Sequence, residues 1–262
     1  MVQHYINSIQ MGDRTVIDRA KDAPADFIPE LERQWRGFDP RARDIAILML
    51  GRIDTHQSAS FLLKATADPN GQTAAAAART LEKQKDPPAG DSILNLIPSR
   101  ESPFVRGKLY LTAGRAACGL DALRRTAEME ADENAKMQAL AAIVLRGGKN
   151  EKVEFFEMVR KARPDEVLAY SAHLLYINDP NLAKAMIPWL GSTEGVMRIG
   201  YDSPRGTDKQ ARMCDFAIWN GKELGLATGA GAAITNYDPT LISRVRKLYT
   251  ELPDPKGDAE VI

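Results

Sequence analysis

The sequence repeats with a period of about 31 residues, and this period constrains the fold more than any other feature. Helix-starting residues recur at Asp39-Pro40, Asn70-Gly71, Ser102-Pro103, Asp132-Glu133 and Arg163-Pro164. The second residues of these pairs are 31, 32, 30 and 31 positions apart. Asp, Asn and Ser side chains cap helix N-termini, and Pro is favoured in the first helical turn. The sequence therefore predicts a helix that begins at each of the five sites.

Each repeat is divided about halfway by a second group of turn residues. These groups are Arg52-Ile53-Asp54, Lys85-Asp86-Pro87-Pro88, Cys118-Gly119, Arg146-Gly147-Gly148 and Asn178-Asp179-Pro180. Apolar residues on both sides follow helical spacing, as in Ile45, Leu48 and Met49, whereas alternating β-branched segments are almost absent. Paired short helices cannot bury their apolar faces alone, so they stack on their neighbours. We therefore predict an all-α fold, an α-α superhelix of about six helical hairpins.

The first repeat resembles a known family. Residues Asp39 to Ala46, followed by Leu50-Gly51-Arg52-Ile53-Asp54, Phe61-Leu62 and Asp68-Pro69, are similar to a HEAT repeat of the short kind also found in phycobilisome-lyase-like proteins. Weaker matches follow, and together they extend over roughly residues 38 to 220. The resemblance implies a right-handed HEAT-like solenoid. It also implies membership of a family that consists chiefly of interaction scaffolds and includes a few enzymes.

The repeat register divides the chain into segments of a single predicted domain. An apolar-basic pair recurs at helix starts, as in Ala42-Arg43, Val105-Arg106, Ala135-Lys136 and Ala211-Arg212. The last step, from Val167 to Ala211, is 44 residues long, which indicates an insertion. We predict N-terminal cap helices in 1–38, five regular repeats in 39–190, an inserted loop in 191–206, a C-terminal repeat and cap helix in 207–252 and a tail in 253–262. The insertion is either a surface loop or a functional segment.

Composition and charge restrict the function classes. Lys and Arg number 35 and Asp and Glu also number 35, so the formal net charge is zero, whereas a non-specific nucleic-acid binder needs a basic excess. No apolar run approaches the ~20 residues that span a bilayer, so no membrane association is expected. The start of the chain lacks the pattern of a signal peptide. A cytoplasmic location is the default expectation, and an exported mature domain stays open.

Residues for metal or catalytic chemistry are sparse. The three histidines, His4, His56 and His173, lie in different repeats, so we predict no metal site and no cofactor. The paired His-Glu dipeptides of HEAT hydroxylases are absent from the sequence. Cys118 and Cys214 are predicted to be mostly buried thiols that form no disulfide. The segment 229–234 begins like a dinucleotide fingerprint but has Ile at the third small position and no preceding strand, so no catalytic residue is predicted.

In a HEAT-like stack the second helices line the concave side, and their outward polar residues form a strip. The strip is mixed in sign with a modest basic excess, which suits a protein partner. Trp35, Trp189 and Trp219 are expected to pack at helix ends, and Trp189, beside the insertion, is also a candidate for binding. The strip begins with Lys64. The partner-binding candidates are its other members and Trp189, namely Arg124, Arg125, Glu128, Glu157, Arg160, Lys161, Lys184 and Trp189.

The sequence thus leads to one preferred function and two alternatives. The preferred function is a non-enzymatic scaffold that binds a protein or peptide on the concave face. One alternative is a HEAT-like nucleic-acid-binding protein or DNA glycosylase, which the neutral charge disfavours. The other is an enzyme similar to a tetrapyrrole lyase, for which no acid-base pair is evident in the sequence.

Overall fold

A computed structural model describes residues 1–199 and 209–257, and the fold is all-α, as predicted. The α-helices of this part are α1 Val2–Gln10, α2 Phe27–Gln34, α3 Pro40–Ile53, α4 His56–Ala65, α5 Gly71–Leu81, α6 Gly90–Leu94, α7 Pro103–Arg115, α8 Leu120–Glu128, α9 Glu133–Leu145, α10 Lys149–Arg160, α11 Val167–Ile177, α12 Met213–Glu223 and α13 Pro239–Thr250. Short 3-10 helices span Arg14–Ile17, Ala20–Asp22, Trp35–Gly37, Ile97–Ser99, Pro180–Met186 and Trp189–Gly191. Two strands, β1 Gly195–Ile199 and β2 Lys209–Arg212, form an antiparallel pair. Within these ranges no helix is long and apolar enough to cross a membrane.

Four of the five predicted helix starts are confirmed, at the first residues of α3, α5, α7 and α9. The side-chain oxygens of Asp39, Asn70, Ser102 and Asp132 accept hydrogen bonds from first-turn backbone N–H groups at 2.7–3.4 Å. These bonds satisfy donors that a helix leaves without an internal partner. The capping residues therefore mark the helix starts that recur with the 31-residue period.

The fifth predicted start is wrong by about one turn. Helix α11 begins at Val167 rather than at Pro164. The backbone N–H of Arg163 donates to the Glu166 carboxylate at 2.8 Å, and residues 164–166 form a turn. The residue immediately before Pro164 is Arg163, not Asp, Asn or Ser, so this site has a first-turn proline without a capping residue.

The chain divides into two compact units, of which the first comprises Met1–Ala142. In this unit α3 packs against α5 and α5 against α7, so these first helices of the repeats lie side by side. Helix α4 contacts α3 and α5, and α6 contacts α7 and α8. Small residues allow close approach, since a Cβ added to Gly51 of α3 would lie 2.8 Å from Cγ2 of Thr80 in α5. The N-terminal α1 packs against α2 and α3.

Two buried ion pairs connect successive repeats of the first unit. The Arg43 guanidinium donates to both carboxylate oxygens of Asp68 at 3.0 and 3.1 Å, and that of Arg106 binds Glu130 at 2.8 and 2.8 Å. The Asp68 and Glu130 side chains are each 2% exposed. Each carboxylate also accepts the backbone N–H of the capping residue two positions further on, at 2.9 and 3.0 Å. The basic residue of the apolar-basic pair thus ties its own repeat to the cap of the next one.

The second unit comprises Ile143–Ile262. Its core lies where α10, α12 and α13 meet the 3-10 helix Pro180–Met186, and α11 packs on α12. The phenol of Tyr249 is buried and donates to the Ala217 carbonyl at 2.6 Å. The repeat pattern predicts an α-helix after Pro180, but the structure has a 3-10 helix there.

The predicted loop over 191–206 is wrong for residues 195–199, which form strand β1. Residues 200–206 of that prediction lie outside the described residues. The pair Ala211-Arg212 is likewise no helical register marker, because both residues belong to β2 and α12 begins at Met213. Two paired strands this short leave little alternation to detect in the sequence.

Asp215 fixes the junction between β2 and α12. Its side chain is fully buried and accepts hydrogen bonds from the Arg212 guanidinium at 2.8 and 3.0 Å and from the Arg212 backbone N–H at 2.8 Å. The Asn236 amide and the Tyr237 backbone N–H also donate to it, each at 2.9 Å. Burial alone would raise the pKa of the Asp215 carboxyl, but these donors hold it below its usual range. One carboxylate therefore anchors the Gly- and Ala-rich segment that precedes α13.

Candidate interaction surfaces

The strip residues of the first unit lie on second helices, as the sequence predicts. Arg124, Arg125 and Glu128 belong to α8, and Arg125 and Glu128 are exposed. A guanidinium nitrogen of the half-buried Arg124 lies 3.7 Å from the Asp121 carboxylate. Lys64 of α4 is exposed, and its ammonium lies 2.6 Å from a carboxylate of α2. These side chains are available to a partner, and their role in binding stays a prediction.

The strip residues of the second unit form ion pairs with their neighbours. The Glu157 carboxylate on α10 lies 3.5 Å from Arg160 and 3.9 Å from Lys161. Lys184, on the 3-10 helix Pro180–Met186, pairs with Asp254 at 3.0 Å. Such surface pairs contribute ~0–1 kcal/mol, so a charged partner could replace them at low cost.

Trp189 is a core residue, and its suggested role as a binding residue is wrong. Its side chain is fully buried, and its indole N–H donates to the Val159 carbonyl at 2.9 Å. The packing role expected of this residue is confirmed. Burial of the whole ring leaves no face on which a partner could dock.

Trp35 packs at the edge of the first unit and is half-buried. Its indole N–H donates to Asp68 at 2.9 Å, and its ring meets Phe61 edge to face at 5.1 Å. The Arg43 guanidinium lies 5.6 Å from the ring centre. Trp35 therefore covers one of the two ion pairs that connect repeats.

A groove lies on the first-helix side of the first unit, where the sequence predicts no site. Its volume is about 450 Å³. We call it the α3–α5 groove, and its lining comprises Arg14, Arg41, Asp44, Ile45, Ile47, Leu48, Gln72, Ala76, Arg79 and Thr80. The groove therefore combines aliphatic side chains with four charged ones.

The aliphatic part of the groove includes an exposed leucine. Leu48 is 41% exposed, although its helical spacing suggested a core position beside Ile45 and Met49, which are buried. Phe104, at the start of the neighbouring α7, is 38% exposed. The Arg79 guanidinium lies 4.9 Å from the Phe104 ring centre, so Arg79 joins the groove to this aromatic residue. Leu48 and Phe104 are thus exposed apolar side chains on two helices that both pack against α5, and exposed apolar area often marks a contact surface.

The arginines of the groove differ from other cations on the first helices of the repeats. Arg43, Arg106 and Lys108 are each within 3.0 Å of a carboxylate oxygen. By contrast, no carboxylate of residues 1–199 or 209–257 lies within ion-pair distance of the exposed Arg14, Arg41 or Arg79. The groove therefore has an excess of uncompensated positive charge, opposed by one carboxylate, that of Asp44.

Gly12 positions one of these arginines. It has φ +75°, and the space where a Cβ would stand is occupied by the Arg41 guanidinium, whose carbon would be 2.7 Å away. Arg41 also donates to the Gly12 carbonyl at 3.3 Å. A glycine meets both requirements, because it tolerates positive φ and leaves room for the side chain above it.

The structure also locates the residues considered for redox, metal and nucleotide chemistry. Cys118 and Cys214 are buried and form no disulfide, as predicted, and burial raises the pKa of the Cys214 thiol. In the described ranges no group of three or more His, Cys, Asp or Glu side chains is placed to hold a metal ion. The glycine-rich segment 229–234 follows helix α12, not a strand, so it lacks the strand-turn-helix context of a dinucleotide site.

Comparisons of the chain with protein-family models, with curated proteins and with solved structures gave no match.

Proposed function

We propose that the chain is a HEAT-like repeat protein with a right-handed solenoid arrangement, whose task is to bind a protein or peptide. The regular helix starts at α3, α5, α7 and α9 support the repeat interpretation. The ion pairs of Arg43 and Arg106 with the following repeat add to it. Repeats of this kind offer a row of similar helices to a partner, which suits extended contact surfaces.

The observation that carries the proposal is the first-helix side of the first unit. Leu48 and Phe104 are exposed on α3 and α7, and Arg79 lies between them with no carboxylate partner in the described ranges. Arginine and aromatic residues are enriched in protein-protein interfaces, and they contribute strongly to binding energy. This combination favours a protein or peptide ligand over a solvated face without one.

Two surfaces are candidates for the contact. The second-helix strip, which the sequence places on the concave side, offers Arg125 and Lys161 as exposed charges. The α3–α5 groove offers Leu48 and Arg79. The strip is rich in local ion pairs, whereas the groove combines exposed apolar area with unpaired cations.

A peptide-display selection against the immobilised full chain tests the proposal. We expect peptides that bind the wild-type chain in fluorescence polarisation and lose affinity when one surface is altered. The variants are Leu48→Glu and Arg79→Glu for the first-helix side, and Arg125→Glu and Lys161→Glu for the second-helix strip. Each pair serves as the control for the other.

Two results would overturn the proposal. One is a selection that enriches no binding peptide. The other is salt-sensitive retention on heparin and on single-stranded DNA without peptide binding, which would instead assign the chain to nucleic-acid binders.

A further inference from the structure

We propose that the α3–α5 groove binds an acidic segment of a partner protein that carries a leucine-like anchor residue. The inference rests on the proposed function and specifies the chemistry of the ligand. Carboxylates of the segment would pair with Arg14, Arg41 and Arg79, and the anchor side chain would lie against Leu48 and Ala76.

Charge complementarity supports the acidic character of the ligand. The groove has three exposed guanidiniums without a carboxylate partner in the described ranges and a single opposing carboxylate, Asp44. Guanidinium groups bind carboxylates through paired hydrogen bonds, which gives both affinity and a fixed orientation. Arg41 is held over Gly12, and Arg79 over Phe104, so two of the three guanidiniums are already positioned. A positioned arginine loses less conformational entropy when it binds.

The apolar lining supports an anchor residue. Leu48 is 41% exposed and shares the groove with Ala76 and the aliphatic side chain of Ile45. A volume of about 450 Å³ is at the low end of the ~300–1,000 Å³ of ligand pockets, so it accommodates a few side chains of a longer segment. Contact with the anchor would cover Leu48, which intramolecular packing leaves exposed.

The same features disfavour a nucleic acid. Single-stranded nucleic acids bind through aromatic platforms on which bases stack, and the groove lining holds no aromatic side chain. The nearby Phe104 ring is approached by the Arg79 guanidinium at 4.9 Å and by the Lys108 ammonium at 5.9 Å.

Fluorescence polarisation with defined peptides tests the inference. The probe is a labelled peptide of about 16 residues composed of Asp, Glu and Leu, with leucines four positions apart so that they share one helical face. One control peptide has Lys in place of Asp and Glu, and another has Ser in place of Leu. The full chain should bind the probe more tightly than either control, and added salt should weaken this binding.

Variants locate the binding. Arg79→Glu should weaken binding of the probe by about tenfold or more, since reversal replaces an attraction with a repulsion. Leu48→Ser should weaken it by about fivefold and should reduce the advantage over the Ser peptide. Arg36→Glu, an identical charge reversal at an exposed site on the 3-10 helix Trp35–Gly37 and outside the groove lining, should change the affinity by less than about twofold. Circular dichroism spectra of the variants should match that of the wild type.

Each outcome has a distinct meaning. If the probe fails to bind, binds as well as the Lys peptide does, or binds the Arg79→Glu variant unchanged, the groove inference is wrong. In those cases display-selected peptides that bind elsewhere would leave the proposed function intact. If the selection also yields no binder, or if an oligonucleotide binds where peptides do not, both proposals fail.

Discussion

Removal of Arg106 should destabilise the first unit more than any exposed arginine does. The Glu130 carboxylate is 2% exposed and loses two charge-assisted hydrogen bonds in Arg106→Met, while it keeps the one from the Asp132 backbone N–H. Breaking a buried ion pair on one side typically costs ~3–5 kcal/mol, because the remaining charge stays buried. Glu130→Gln keeps an acceptor for the backbone N–H and should cost ~1–3 kcal/mol.

A double-mutant cycle separates the pair from the packing. Arg106→Met combined with Glu130→Met removes both charges, so its cost should be smaller than that of Arg106→Met alone. Urea unfolding of the wild type, the two single Met variants and the double variant, monitored by circular dichroism near pH 7, gives the four free energies of unfolding. Arg79→Met is the matched control, since it removes an exposed arginine of a first helix, and it should cost less than about 0.5 kcal/mol.

The pH dependence of the same cycle has a definite sign. The hydrogen bonds from Arg106 hold the pKa of the Glu130 carboxyl below its usual range. This group therefore stabilises the folded state above the unfolded-state pKa, about 4.3, and the contribution is lost as the pH falls through the lower folded-state pKa. The difference in stability between wild type and Arg106→Met should shrink from pH 7 towards pH 3. A difference below about 1 kcal/mol near pH 7, or one that does not change with pH, would refute this interpretation of the pair.

Three further substitutions follow from the structure. Trp189→Ala should destabilise the second unit by ~3–5 kcal/mol, because it leaves a cavity and removes the hydrogen bond to the Val159 carbonyl. Trp189→Phe should cost clearly less, and thermal unfolding of the two variants measures the difference in stability. Asp215→Asn should lower the free energy of unfolding by ~2–4 kcal/mol, because the amide can accept fewer hydrogen bonds than the buried carboxylate does. Equal urea midpoints for the variant and the wild type would contradict this expectation. Gly12→Ala should cost at least ~1 kcal/mol from the positive φ and should displace Arg41, so binding of the acidic probe should weaken even where the variant remains folded.

Helix starts were predictable because their chemistry is local. Asp39, Asn70, Ser102 and Asp132 cap helices within three residues of themselves, so the sequence alone locates α3, α5, α7 and α9. The start at Pro164 failed because no capping residue precedes it, and Val167 begins the helix instead.

Features that depend on distant residues were not predictable in the same way. Leu48 follows the helical spacing of core residues, and only the packing of α3 against α5 shows that it remains exposed. The ion pairs join residues 24 and 25 positions apart, as in Arg106 with Glu130, and no local pattern specifies such a pairing. Most charges of the second-helix strip lie on α4, α8 and α10, as predicted, whereas Lys184 lies on a 3-10 helix. The arginines of the groove were missed because the sequence does not show which cations lack a carboxylate partner.

The ion pairs that connect repeats determine where the chain could be shortened without an electrostatic penalty. Each pair places the cation in one repeat and the anion just ahead of the next helix, as Arg106 in α7 and Glu130 after α8 illustrate. A chain that ended after α7 would leave the Arg106 guanidinium without its carboxylate. A C-terminal truncation of the first unit is therefore expected to tolerate loss of Glu130 only if Arg106 is replaced as well.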